Sequence, residues 1–361
     1  MDYVLESPTL ITPLDELGRR RWLFENLPVD PLHAEWFRHR AWIRTIHGTT
    51  KIEGNTLNDL EVEEALTESP ARFSRKDALE VLGSRSALEF VDEIAPDGEI
   101  LADEAVIREI HRRVLDDIDP MLTPGEYRRG ENRVIDGAGR TIFTTPPSGD
   151  VPELMRELGR WLRHEADLDL AAPVRAALAH LEFVAIHPFN DGNGRTSRAL
   201  VRLLLLRHGY AFGGLVSVDA YLDLHRTEYF AAIAKATKRQ YRPGYDATPF
   251  VRFFIEAMTA ASDHLLARLR GLGEVMIQLR REITQGSLPP AMLDGLAYAW
   301  INHSIRPADY IRMTGRPKQS ASRDLATAQK AGFLEGTGES RRRRYVVGPR
   351  LQAIRPPAFR D

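Results

Sequence analysis

Residues 187–198 read His-Pro-Phe-Asn-Asp-Gly-Asn-Gly-Arg-Thr-Ser-Arg and lie between two stretches whose apolar residues recur at helical spacing. Upstream are Val174, Leu178, Leu181 and Ala185, and downstream is the run from Ala199 to Leu206. The segment is therefore a break between two helices. Pro188 pushes the residue before it out of the helical region, which leaves His187 at a helix end facing a loop. Gly192-Asn193-Gly194 can adopt positive φ and turn consecutive amides inward, and it opens a helix whose N-terminus carries partial positive charge. That combination is an anion cradle. Arg195, Arg198 and Arg202 recur at i, i+3 and i+7 and so share one face, with the first two beside the cradle where a polyphosphate would extend. Asp191 supplies a hard oxygen of the kind Mg2+ takes together with substrate phosphates and water. His187 is the side chain of this string whose ordinary pKa lies near neutrality, which suits it to take a proton from an attacking hydroxyl.

The rest of the 361 residues is also mostly of helical period, and the length predicts two or three domains. Cysteine is absent, which excludes disulfides, thiol nucleophiles and thiolate metal sites and suits a reducing compartment. No continuous apolar core marks the first thirty residues and no stretch reaches membrane-spanning length, so a cytoplasmic protein without membrane association is expected. Net charge is −2, yet residues 303–350 hold eleven Lys/Arg against four Asp/Glu, which leaves that segment at +7 and the remainder at −9. Only the C-terminal end suits a polyanion.

Local signals divide the chain further. Asn58 stands three residues before Glu61 as in a capping box, with Leu57 and Val62 placed for the hydrophobic staple. Glu53-Gly54-Asn55 precedes it as the stop of a short helical segment through Thr49. Arg133-Val134-Ile135 and Arg140–Phe143 flank a glycine-rich turn at 136–139 and predict a β-hairpin, closed by Pro146-Pro147. Helices are predicted from Val151 to about Arg270, and glycines at 271, 273 and 286 with Pro289-Pro290 punctuate a connector. The expected domains are an N-terminal helical region (1–100), a core (101–270), a helical connector (271–300) and a small final domain (301–361).

At every defined position the string resembles the signature of the Fic (filamentation induced by cAMP) family, His-Pro-Phe-x-(Asp/Glu)-Gly-Asn-Gly-Arg-x-x-Arg. The likeness covers residues 30 to 260, with Gly125 to Met155 as the family's flap and following helix and Tyr221 to Phe230 and Asp246 to Phe254 as later helices. It implies a mainly α fold, a Fic-type helical bundle with a β-hairpin flap. The implied activity is protein adenylyltransfer, moving AMP from ATP to a Ser, Thr or Tyr hydroxyl of another protein or of the chain itself and releasing diphosphate. His187 would be the base and Asp191 the Mg2+ ligand. Gly192, Asn193 and Gly194 would form the anion hole for the α and β phosphates, Arg195 would contact the phosphate chain, Arg198 would hold the γ phosphate, and Phe189 would anchor the core. Tyr229 and Phe230 resemble an aromatic pair near the adenine in some relatives, or belong to the core. The hairpin, through Val134, Ile135 and Ile142, would dock an extended piece of the target by strand addition.

Thr49-Thr50-Lys51-Ile52-Glu53-Gly54 matches the family's inhibitory pattern Ser/Thr-x-x-x-Glu-Gly. By this resemblance Glu53 pairs with Arg198 and takes the guanidinium meant for the γ phosphate, while Thr49 ties the helix down. Some inhibited relatives use the same glutamate to direct removal of AMP, and relatives commonly form homodimers. Transfer of UMP, phosphate or phosphocholine on the same scaffold stays open, as does a transcriptional regulator whose core senses nucleotide.

Residues 303 to 347 read as helix, turn, helix and hairpin and resemble a winged helix-turn-helix, a small α+β domain. Arg316, Lys318 and Arg323 would crowd the start of its second helix, and Arg341, Arg342, Arg343 and Arg344 would sit on the wing. DNA binding and protein docking both fit such a module.

Overall fold

Helical spacing becomes helix over most of the chain in the computed structural model, which describes residues 1–67, 70–98, 100–116, 118, 122–135, 141–163, 170–338 and 343–354. The chain divides into two units, Met1–Leu27 with Ala41–Ala261, and Pro28–Arg40 with Ser262–Asp361. The helices in chain order are α1 Ile11–Asn26, α2 Pro31–Ile52, α3 Asp59–Thr67, α4 Arg75–Ile94, α5 Glu104–Val114, α6 Val151–Arg163, α7 Ala172–Ile186 and α8 Asn193–Arg207. They continue as α9 Val218–Leu224, α10 Arg226–Thr237, α11 Thr248–Thr284, α12 Met292–Asn302, α13 Pro307–Thr314, α14 Lys318–Lys330 and α15 Pro349–Ala353.

In the first unit α7 is buried on nearly all sides and forms the centre, with Leu178, Leu181, Phe183 and Ile186 fully buried. Each such side chain contributes about 1.5–3 kcal/mol by leaving water. α8 packs along α7, α4 and α5 cover α8, and α6 covers α7. The hairpin forms as the sequence predicts: β2 (Arg133–Ile135) pairs antiparallel with β3 (Thr141–Thr144), Val134 opposite Phe143, with a register shift after Val134. Its glycine-rich turn at 136–140 lies outside the described residues. A second pairing is short and parallel, β1 (Tyr3–Val4) against β4 (Tyr245–Asp246).

Two helices run longer than their local signals suggest. The segment carrying Glu53 ends the 22-residue α2 rather than a short helix. α11 runs for 37 residues through Gly271 and Gly273. Each helical glycine costs only about 1 kcal/mol, and the burial of Leu265, Leu272, Val275 and Leu279 around them outweighs that.

From Met292 onward the second unit runs in the order α12, strand Ser304–Ile305, α13, α14, strand Leu334–Thr337, strand Arg344–Val347, α15. The strand Arg344–Val347 lies between the other two, antiparallel to both. α13 stops at Gly315 in the left-handed region. Tyr310 donates to Asp324 at 2.9 Å and joins α13 to α14 over a core of Leu296, Leu325 and Phe333. No helix among the described residues is long and apolar enough to cross a membrane.

Candidate active site

α7 ends at Ile186, and His187 follows with φ 51° and ψ 60°, its N–H still donating to Phe183 O at 2.9 Å. A left-handed conformation is unfavourable for a residue with a side chain and has to be held by its surroundings. Arg128 holds it. Its Nε donates to His187 O (2.9 Å), its backbone N–H to Pro188 O (2.9 Å), and its guanidinium to Gly130 O (3.1 Å) and Pro146 O (2.6 Å). The His187 Nδ1 lies 3.3 Å from Val184 O, so this nitrogen carries the proton and Nε2 is left as the acceptor. Burial lowers the His187 pKa from its ordinary value, against the carbonyl of Val184 and the charge of Glu53, which raise it. The ring is a neutral base at neutral pH.

The loop after His187 is fixed by its own side chains. Phe189 N–H donates to Asn193 Oδ1 (3.0 Å) and Asn193 Nδ2 donates to Phe189 O (2.8 Å), so the Asn193 side chain closes the loop and its amide is what remains for a ligand. Phe189 is fully buried and stacks on His111, with ring centres 3.5 Å apart. Gly125 N–H donates to His111 Nδ1 (2.8 Å), so His111 Nε2 carries the proton and donates to Asp191 O at 3.0 Å. Burial lowers the His111 pKa to about 4, which keeps it neutral in this role. Gly192, at φ 74°, starts α8, whose first intrahelical bond is Thr196 N to Gly192 O. The amides of Asn193, Gly194 and Arg195 therefore precede that bonded register, as an anion cradle requires. Asp191 leaves about half its side chain exposed and accepts from Gly192 N at 2.6 Å.

The three arginines of the shared face go to different places. Arg202 forms a two-point pair with Asp92 of α4 (2.7 and 2.8 Å) and pins α8 to that helix. Arg195 is 2 % exposed, with Nε and one terminal nitrogen unpartnered, and lines a small cavity with Thr49, Ser84 and Asp219 beneath the cradle. Arg198 reaches the brake motif: Nε donates to Thr49 Oγ1, a terminal nitrogen donates to Thr49 O and Glu53 Oε1, all at 2.8 Å, and Asp219 lies 3.4 Å away. Burial works against the Arg198 charge, and Glu53, Tyr229 and Asp219 more than offset it, so its pKa stands above the ordinary value. The Glu53 carboxylate also sits against Gly194, where an added Cβ would fall 2.0 Å from Oε1.

Glu53 is placed by the end of α2. Asn55 N–H returns to Thr50 O (3.1 Å), and Asn55 Nδ2 donates to Glu80 Oε2 (2.9 Å) and Asp77 O (3.0 Å). The capping box then forms as read from the sequence, Asn58 N–H to Glu61 Oε2 at 2.9 Å and Glu61 N–H to Asn58 Oδ1 at 3.1 Å.

His187, Glu53, Gly194 and Arg198 share a cleft of about 700 Å³ with Val134, Ile142 and Phe143 of the hairpin and with Tyr229 and Phe230 of α10. Ile135 contributes backbone to the hairpin. Tyr229 is 1 % exposed, its hydroxyl 2.7 Å from His180 Nε2, and burial pushes its pKa up to about 12. Phe230 exposes its ring beneath the Arg226 guanidinium. Arg128, His111, Asp219, Arg226 and Arg239 are site residues that sequence reasoning does not single out. Arg128, His111 and Asp219 sit far in sequence from the residues they serve, and Arg226 and Arg239 reach the cleft only through the fold, so no local pattern marks them.

In the second unit Lys318 and Arg323 are exposed on α14, whereas Arg316 pairs with Asp324. Arg343 is exposed and lies over the Tyr345 ring. Arg344 turns inward, 5 % exposed, and donates to Ser304 Oγ, so it is not free to reach a nucleic acid. Arg341 and Arg342 lie outside the described residues.

Residues 101–205 match the Fic/DOC family. The chain is similar to "Protein adenylyltransferase Fic" of Culex quinquefasciatus, 33 % identical over 251 residues, 69 % of this chain and 46 % of that protein. It is similar to "Protein adenylyltransferase fic-1" of Caenorhabditis elegans, 34 % identical over 61 % of this chain and 42 % of that protein. The chain thus spans about half the length of the curated relatives it matches. Among solved structures, a Fic domain containing signaling protein from Bacteroides thetaiotaomicron is 26 % identical at TM-score 0.61, over 72 % of this chain and 97 % of that one. A Fic family protein from Desulfovibrio desulfuricans shares the fold over 97 % of this chain and 98 % of its own, at TM-score 0.61 and 22 % identity.

Proposed function

We propose that this chain, a Fic/DOC family member through its domain at residues 101–205, transfers AMP from ATP to a hydroxyl of a protein and restrains that activity with Glu53. What supports the reading is one observation: His187, the N-terminus of α8 and the Arg198–Glu53 pair meet in a single cleft. The names of the curated relatives point the same way.

In this mechanism His187 Nε2 takes the proton of the acceptor hydroxyl, the oxygen forms a bond to the α phosphorus, and the bond to the diphosphate breaks. The amides of Asn193, Gly194 and Arg195 face the charge that builds on the phosphate oxygens. Asp191, a half-exposed carboxylate beside the cradle, would hold a Mg2+ ion, and the ion would neutralise phosphate charge. Arg198 holds the γ phosphate once Glu53 withdraws. The orphaned nitrogens of Arg195 fit a role under the cradle, through charge, rather than a direct phosphate contact. An extended target segment lies along the hairpin, and the protein works in the cytoplasm. The test is incubation of wild type, Glu53→Gly and Glu53→Gly/His187→Ala with α-labelled ATP, Mg2+ and lysate. Label is expected to rise with the first substitution and vanish with the second, and label from UTP or from the γ position instead would point to another transferred group.

A second role belongs to the C-terminal module, whose element order and exposed Lys318 and Arg323 support a winged helix that reads DNA. Binding to duplex DNA is expected to weaken steeply with salt and to fall on Lys318→Glu/Arg323→Glu. Binding that ignores both would leave the module a protein-docking role.

A further inference from the structure

One cation of the cleft has no task in the transfer chemistry above. Arg198 is engaged by Glu53, Thr49 and Asp219, and Arg226 lies over Phe230, but Arg239 lines the same cleft with an exposed side chain. Its backbone is held in an unfavourable state. α10 ends at Thr237, and Lys238 and Arg239 both take positive φ, 50° and 61°. Two consecutive residues with side chains adopt the left-handed region only where neighbours over-determine it.

The neighbour here is the hairpin. Thr144 N–H donates to Arg239 O and Tyr241 N–H donates to Thr144 O, each at 3.0 Å, so residues 239–241 run parallel to the end of β3. Tyr241 in turn donates to Glu182 of α7 at 3.3 Å. Arg239 is thereby fixed between the hairpin and the helix that ends at His187. Among the described residues lining the cleft, Glu53 is the one carboxylate, and Arg198 neutralises it. Among the described residues, the hairpin side of the cleft therefore carries uncompensated positive charge.

We propose that Arg239 selects the protein segment to be modified, by pairing with an Asp or Glu side chain that flanks the acceptor hydroxyl while the segment lies along the hairpin. The inference rests on the adenylyl-transfer reading for its meaning. An acidic peptide is the partner whose charge complements this wall; a phosphate contact from Arg239 would act on ATP instead, and kinetics separate the two.

The probes are synthetic peptides with one threonine flanked by Asp, Ala or Lys, labelled from α-labelled ATP by the full chain carrying Glu53→Gly. The Asp peptide is expected to show kcat/KM about tenfold above the Ala peptide, the scale of one modest charge pair, with the Lys peptide lowest. Arg239→Asn removes the charge but keeps a residue that tolerates positive φ, so the ranking collapses through KM for peptide rather than KM for ATP. Arg239→Glu reverses the ranking. Equal labelling of all the peptides, a ranking that survives Arg239→Asn, or a change in KM for ATP alone overturns the proposal. Self-modification in the same reactions reports on adenylyl transfer separately. Where no peptide is labelled, fluorescence anisotropy of the same peptides decides: tighter binding of the Asp peptide that is lost in Arg239→Asn upholds the role of Arg239, and equal affinities refute it.

Discussion

Glu53 competes with a phosphate for one guanidinium, and both contestants are anions. A charge-assisted hydrogen bond of the Arg198–Glu53 kind contributes about 1.5–3 kcal/mol, so Glu53→Gly is expected to raise the initial rate of self-modification about ten- to a hundredfold. The comparison of initial rates with wild type at subsaturating ATP measures it. The base adds a pH signature. Burial lowers the His187 pKa while the nearby Glu53 charge raises it, so the neutral ring persists below its ordinary value of 6.5. The rate of the Glu53→Gly chain is expected to be flat at neutral pH and to fall only on acidification below 6.5, with its acid limb further down than in wild type because one pKa-raising charge is gone. An acid limb at or above 6.5 in the Glu53→Gly chain would contradict that electrostatic account.

At the scale of elements, the brake depends on how α2 meets α9. Thr45 donates to Ser217, the residue that caps α9, at 2.9 Å, and Thr49 stands on Arg198 beside Asp219. Between them Gly48 lets the two backbones touch: a Cβ there would fall 2.7 Å from Ala220 N and from the carbonyl of Asp219. Backbone cannot yield as a side chain can, so Gly48→Ala moves α2 and carries Glu53 with it. Partial release is expected, with self-modification rising severalfold toward the Glu53→Gly level, together with a loss of about 1–3 kcal/mol in stability. Wild-type self-modification in Gly48→Ala, checked beside its urea melt, would show that the Glu53 contact does not need this crossing.

Across the whole molecule, local chemistry is legible in the sequence, and long-range pairing only where the family resemblance supplies it, as for Glu53 and Thr49 with Arg198. The string at 187–198, the capping box at Asn58 and the β-hairpin announce themselves because each is set by neighbours within a few residues. The single stretch of α11 is not legible because isolated glycines look like punctuation until the burial around them is known. Arg128 and His111, which hold His187 and Asp191 in place from 59 and 80 residues away, carry no local mark at all. Such partners nevertheless set a property of the whole fold. His111 and His180 are each 1 % exposed and neutral, with pKa values lowered by burial to about 4 and about 3. Unfolding lets both take up protons near the ordinary value of 6.5, so the unfolded state binds more protons as pH falls below it. Their contribution to stability is full above 6.5 and is lost progressively toward pH 4. Glu182 and Asp219 oppose this, because burial raises their pKa values above the ordinary 4.5 and 3.8 and protons then favour the folded state. Between pH 6.5 and 5.5 the share of His111 and His180 is a fall of about 2 kcal/mol in unfolding free energy, with His187 adding to it in the same direction, read from urea titrations at each pH. His111→Phe is expected to remove about 1 kcal/mol of that fall while leaving Gly125 N–H and Asp191 O unpaired at a cost of about 1–3 kcal/mol each, so the variant is less stable throughout yet less sensitive to acid.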